Sequence, residues 1–255
     1  PMAYKEAGKG STVVLVHGAM CDYRCLGEAQ ATLARDYRTV SVSLRHFYPE
    51  NWDGSGNTFT AEQHVRDLAG FIEKMKPPVR LVGHSYGGLV ASEVARTRPE
   101  LVSKLVLAEG ATDGLLPAPS ADVLAARQRF ADAVAKALRE RGVDGGLEFA
   151  VDTLNGAGTW ARYPAAVKSF HRDNAWSIVA TARDTSAKVD CASFGAIKVP
   201  TLLVTGQNTS PRYRQIVAEQ ARCLPAARLV TIPGVGHAMM SNRSAFDQAL
   251  GDFLK

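Results

Sequence analysis

At 255 residues the chain can bury one sizeable core, and α/β folds of this length commonly form one unit carrying an inserted segment. With 46% hydrophobic and 22% charged residues, and no apolar run able to span a bilayer, the composition excludes a disordered chain and argues against a membrane protein. The formal charge of +5 is spread, because Lys and Arg interleave with Asp and Glu, and no basic run marks a nucleic-acid surface.

The opening PMAYKEAGKG has neither a basic region ahead of an apolar run nor a small-residue cleavage pattern, and a start at Pro1 leaves open a signal peptide removed before it. Apolar runs punctuated by glycine then alternate with amphipathic stretches. STVVLVHG (11–18) predicts a strand, residues 24–35 a helix, and RTVSVSL (38–44) a second strand. A long aromatic loop, 44–59, leads into a helix over 60–75. VRLVGHS (79–85) is a third strand, followed by a helix over 87–97, and SKLVLAEG (103–110) is the fourth. From 111 to about 195 the pattern is helical with no strand. TLLVTG (201–206), a helix over 212–223, ARLVTI (227–232) and a helix over 243–254 complete the chain. Continuous apolar strands of this kind belong to a parallel sheet covered on both faces. The expected fold is α/β: a mostly parallel, doubly wound sheet from residues 1–110 and 196–255, with a helical cap inserted at 111–195.

Four cysteines, Cys21, Cys25, Cys191 and Cys223, are too few and scattered for a disulfide framework, and the first pair lacks CxxC spacing. Reduced thiols and a cytoplasmic location are the expectation.

The chemistry concentrates where the third strand meets its helix. Gly83, Ser85 and Gly87 form G-x-S-x-G in a strand–turn–helix context, the setting of a nucleophile elbow. The turn is tight, so side chains at the two glycines would clash, and the Ser85 hydroxyl is lifted clear of the sheet. A lone serine is a poor nucleophile and needs a base. Among six histidines, His17 ends the first of these strands, His84 precedes the nucleophile and is expected to point away, His64 lies in a helix, and His46 and His171 fall in a loop and the cap. His237, in the glycine-rich IPGVGHAMM before the last helix, completes the order Ser, acid, His.

LVHGAM, GHSYGG, the helical insertion, VPTLLVTG and GVGHAMM together resemble the α/β-hydrolase family over essentially the whole chain. That resemblance implies an oxyanion hole from the backbone N–H groups of Ala19 and Tyr86, a small-molecule partner, no metal and no organic cofactor. It leaves the reaction open, since the same scaffold hosts many chemistries. Ser85 stands where dehalogenases and epoxide hydrolases of this fold carry aspartate. Ala238, Met239 and Met240 follow His237 where cyanohydrin lyases carry lysine. Hydrolysis of an ester or lactone is the expectation; cleavage of a carbon–carbon bond, or a small-ligand receptor with slow hydrolysis, is the alternative. Substrate contacts are expected from Phe47 and Tyr48 of the long loop, with Trp52 beside them, and from Trp160 and Trp176 of the cap, with Tyr163 and Phe170. The competing reading is that these aromatics form the cap's own core.

The acid is the departure. Most members of the family place it three residues beyond the strand ending at Gly206, but that position is Thr209, flanked by Gln207, Asn208 and Ser210. Glu109, at the end of the family's sixth strand, lies at the sheet edge one strand from Ser85 and is expected to serve. Zearalenone lactonases place a glutamate there, which tilts the reading toward lactones. Asp113 is the rival.

Overall fold

The computed structural model describes residues 2–117, 121–185, 187–238 and 243–255. Among them, seven strands form one sheet: β1 (Ala3–Ala7), β2 (Thr12–Val16), β3 (Arg38–Ser43), β4 (Val79–His84), β5 (Val102–Ala108), β6 (Thr201–Gly206) and β7 (Arg228–Ile232). Their order is β1-β3-β2-β4-β5-β6-β7, parallel throughout except for β1, which runs antiparallel to β3 at the edge. The six strands expected from sequence are all present. β1 was not expected: AYKEA is largely exposed and too polar to read as a covered strand.

Six helices flank or follow the early strands: α1 (Gly27–Leu33), α2 (Ala61–Glu73), α3 (Tyr86–Thr97), α4 (Ala121–Glu140), α5 (Gly142–Asn155) and α6 (Thr159–Arg162). Five more are α7 (Ala165–Asp173), α8 (Trp176–Arg183), α9 (Cys191–Gly195), α10 (Pro211–Cys223) and α11 (Arg243–Leu254). Alternation along each strand decides which layer each side chain joins. Val13 and Leu15 pack with Leu33 of α1 and with Phe246 and Leu250 of α11. Val14 and Val16 face the other way, onto Leu68 and Ile72 of α2 and Val90 and Val94 of α3. Each such buried aliphatic side chain contributes about 1.5–3 kcal/mol relative to exposure.

Residues 111–195 hold α4 to α9 and, among the described residues, no strand. These helices bury a cluster of their own, including Val134, Leu138, Leu147, Val151 and Trp160. The insertion is also tied to the loop after β2. Ser177 Oγ accepts from Met20 N at 2.8 Å, and Asn174 Nδ2 donates to Asp22 Oδ2 at 2.7 Å. Arg24 bridges Asp22 and Asp173 at 2.7 and 2.6 Å. Burial alone would push the Asp22 carboxyl up, but hydrogen bonds from Arg24 and Asn174 outweigh it and hold it below the usual carboxylate range.

The expectation of reduced thiols is corrected. Cys21 and Cys25 form one disulfide, their Cα atoms 5.9 Å apart across a turn, and Cys191 and Cys223 form another at 5.2 Å. The second joins the start of α9 to the end of α10, partners that sequence distance hides and packing brings together. With all four thiols paired, the ground for expecting a cytoplasmic setting is gone. No helix among the described residues is long and apolar enough to cross a membrane.

Candidate active site

Three parallel strands end side by side, and the residues of interest stand one step beyond them. His84 pairs with Ala108, and Ala108 with Val204, so Ser85, Glu109 and Gly206 share the C-terminal edge of the sheet. Ser85 adopts φ 53°, a left-handed conformation that costs a non-glycine residue energy and lifts its side chain out of the strand. The flanking glycines are sterically required. A Cβ on Gly83 would lie 2.5 Å from the carbonyl oxygen of Gly87, and one on Gly87 would press on the carbonyls of Val16 and His17.

The loop after β2 lies against this turn. A Cβ on Gly18 would sit 3.0 Å from Ser85 Cβ, so Ala19 follows at the rim of the elbow, while Tyr86 opens α3 on the other side. His17 fixes the loop from beneath. Its Nε2 accepts from Leu44 N at 3.1 Å, which leaves Nδ1 protonated to donate to Gly18 O at 2.7 Å. Burial pushes the His17 imidazole down to about 4, against the hydrogen bond to Gly18 and the nearby Asp22, so it is a neutral strut at neutral pH.

Glu109 is fully buried, at φ 45°, and its carboxylate collects four donors. Oε1 accepts from Thr205 Oγ1 and Gly206 N, each at 2.8 Å. Oε2 accepts from Thr209 Oγ1 at 2.9 Å and from His237 Nδ1 at 2.6 Å. Desolvation would raise this carboxyl, yet the bonds from His237, Gly206 and Thr205 together hold it below its ordinary range. Thr209, three residues past the end of β6, thus braces the carboxylate supplied from the neighbouring strand. Asp113 is otherwise engaged, accepting from Arg212 Nε at 2.7 Å.

The loop bearing His237 reaches Glu109 because Gly206 has no side chain; a Cβ there would collide with the carbonyls of Val235 and Gly236. Asn208 N donates to Val235 O at 2.8 Å and pins the approach. Met239 and Met240 lie outside the described residues. His84 does not point away as expected: its ring lies 4.8 Å from that of His237, with Nε2 3.1 Å from the His237 carbonyl. Burial first, and then His237, push the His84 imidazole down to about 3.

Among the described residues, Ser85 Oγ is hydrogen-bonded to the Tyr213 hydroxyl, at 3.0 Å, and not to His237. Tyr213 also stacks on the His237 ring at 3.9 Å, with 13° between the planes. Sequence reading passed over this residue. A signal was present: Ser210 and Pro211 mark a helix start, which puts Tyr213 in the first turn, at the sheet's C-terminal edge.

The expected substrate contacts fare unevenly. Phe47 is 0% exposed and packs edge-on to His17, and Trp160 is buried in the insertion's own core; both are corrected from cavity wall to core. Tyr163 and Phe170 sit with Trp160 and under Arg24 respectively. Tyr48 lies 3.7 Å beneath the Arg24 guanidinium, a joint between insertion and sheet. Trp176 and Trp52 do border a cavity of about 350 Å³, with Phe59, Thr60 and Val179, but Ser85 and His237 are not part of its lining. Phe59 of that lining stacks 5.9 Å from Tyr86, the residue after Ser85.

Comparison with known proteins identifies the family and the fold. The sequence signature described as "Alpha/beta hydrolase family" matches residues 13–249. The chain is 38% identical over 96 residues to a carbendazim hydrolyzing esterase of Nocardioides sp. (strain SG-4G), a match covering 37% of this chain and 40% of that relative's length. It is 31% identical over 262 residues to BpoC of Mycobacterium tuberculosis, provisionally named a non-heme bromoperoxidase, covering 92% and 90% of the two chains. A thermophilic esterase from Thermogutta terrifontis has the same fold, with a TM-score of 0.79, 23% identity, and coverage of 99% and 92%.

Proposed function

Because this chain belongs to the alpha/beta hydrolase family, we propose that it is a serine hydrolase cleaving a carboxylic ester or lactone through a Ser85–His237–Glu109 triad. The observation that carries the reading is the 2.6 Å bond from His237 Nδ1 to a buried carboxylate beside a left-handed serine. With its Nδ1 proton committed to Glu109, neutral His237 presents Nε2 as the acceptor for the Ser85 proton. Ser85 Oγ then bonds the acyl carbon, the carbonyl oxygen takes up the displaced electron pair, and the backbone N–H groups of Ala19 and Tyr86 receive the oxyanion. Collapse expels the alcohol oxygen with the proton from His237, and water repeats the cycle to free the acid. The triad requires no metal or organic cofactor. Residues 111–195 act as the cap, with Trp176 lying against Gly54 of the 44–59 loop.

A fluorophosphonate probe should label Ser85 in the native protein and leave Ser85→Ala unlabelled. A panel of esters and lactones, with a vinylogous diketone alongside, sorts carbon–oxygen from carbon–carbon cleavage. Labelling that survives Ser85→Ala sinks the assignment.

A further inference from the structure

We infer that Tyr213 is a catalytic residue, whose hydroxyl is handed from Ser85 Oγ to the leaving-group oxygen during acyl transfer. The inference rests on Ser85 being the nucleophile.

Three observations carry it. The Tyr213 hydroxyl lies 3.0 Å from Ser85 Oγ, in contact with the reacting atom. Its ring is stacked on His237 at 3.9 Å, so the hydroxyl lies on the imidazole's side of Ser85. The residue is also held: Arg212 lies 4.7 Å over its ring and is anchored in turn to Asp113 at the start of the insertion.

The direction matters. In a tetrahedral intermediate the leaving oxygen is bonded to the same carbon as Oγ, and it must face His237, because His237 Nε2 delivers its proton. A hydroxyl within hydrogen-bond reach of Oγ and layered on the imidazole is within reach of that oxygen as well. In the free protein Tyr213 and Ser85 satisfy each other. When substrate binds, Ser85 turns its proton to His237 Nε2, and the Tyr213 O–H is released to donate to the alcohol oxygen as the carbon–oxygen bond breaks. Tyr213 keeps its proton throughout. The leaving oxygen receives its proton from His237 and a hydrogen bond from Tyr213, so atoms and charges balance. The stacked ring has a second effect, since the face of a phenol favours the imidazolium formed when Ser85 loses its proton.

A donor to the leaving oxygen helps most when that oxygen develops the most charge. Alkyl esters expel a strongly basic alkoxide, whereas p-nitrophenyl esters expel a weakly basic phenolate needing little assistance. The test is therefore the kcat/KM of wild type and Tyr213→Phe on ethyl and p-nitrophenyl esters of one acid. Tyr213→Phe keeps the ring and removes the hydroxyl. The expected result is a loss of about 10-fold or more on the ethyl ester and a several-fold smaller loss on the p-nitrophenyl ester, carried by kcat more than KM. Equal losses on both esters, or no loss, would overturn the inference. Tyr213→Leu removes ring and hydroxyl together, and should lose more than Tyr213→Phe on both esters; a loss no greater denies the ring its part. Failure of the serine-hydrolase reading looks different: wild type would turn over neither ester, and Ser85 would take no fluorophosphonate.

Discussion

Replacing Glu109 by glutamine tests the least usual part of the site. The carboxylate oxygens accept from Thr205 Oγ1 and Gly206 N on one side and from Thr209 Oγ1 and His237 Nδ1 on the other. A glutamine has one accepting oxygen and one donating NH2, so one side must oppose donor to donor. Gly206 N–H cannot turn away, and leaving a buried N–H unpaired costs about 1–3 kcal/mol. His237 can shift its proton to Nε2 far more cheaply. The substituted amide should therefore put its oxygen on Gly206 N–H and its NH2 against His237 Nδ1, which forces the tautomer that cannot accept from Ser85. The analogous Asp-to-Asn change in a serine protease costs about 10⁴ in kcat, or roughly 5.5 kcal/mol of barrier. A loss of about 10³–10⁴ is expected here, measured on an activated ester with the melting temperature as a control for folding. Thr209 Oγ1 stands 2.9 Å from Oε2, so Thr209→Asp in the Glu109→Gln background restores a carboxylate near Nδ1 and should recover about tenfold or more. Thr209→Asp alone should reduce activity, since two buried carboxylates in contact cannot both ionise. Glu109→Gln activity within about tenfold of wild type would refute the reasoning.

Acid should destabilise the fold before it reaches the carboxylates. His17 and His64 are buried with pKa values lowered to about 4, whereas an unfolded histidine takes its proton near 6.5, so stability present above about pH 6.5 is lost as pH falls toward 4. The loss is on the order of 3 kcal/mol per histidine, and urea midpoints that stay level from about pH 7 to 4.5 would contradict it. Phe47→Ala should cost about 3–5 kcal/mol of stability without substrate-selective changes in KM, because the ring is wholly enclosed. Trp52→Ala, at the cavity whose lining lacks Ser85 and His237, should lower the denaturation midpoint less, because the ring is only half-buried, and should leave KM unchanged for short and long acyl esters alike; a KM shift that tracks acyl size would contradict this.

Much of this arrangement could be read from the chain because the signals were local. A strand, a helix and two obligatory glycines identify the elbow around Ser85, Glu109 directly follows β5, and His237 lies in the glycine-rich loop after β7. What escaped depended on tertiary contacts. AYKEA becomes β1 only because the β3 edge is there to pair with it. Cys191 meets Cys223 through the packing of α9 on α10, and Phe47 and Trp160 became core because the loop and insertion fold over them. His84 faces His237 because the loop curls back past Gly206, a course that no spacing along the sequence encodes.

The bonds that Met20 N donates to Ser177 and Asn174 donates to Asp22 make the insertion part of the frame that holds the loop beside Ser85. Lids on scaffolds of this kind are tempting to treat as interchangeable parts, traded among relatives to change what an enzyme accepts. On the proposed serine-hydrolase reading, a transplanted lid lacking a hydroxyl at 177 and an amide at 174 should slacken the backbone beside Ser85. Turnover and selectivity would move together, so a chimera made to alter one must carry these two side chains across or inherit a slower catalyst.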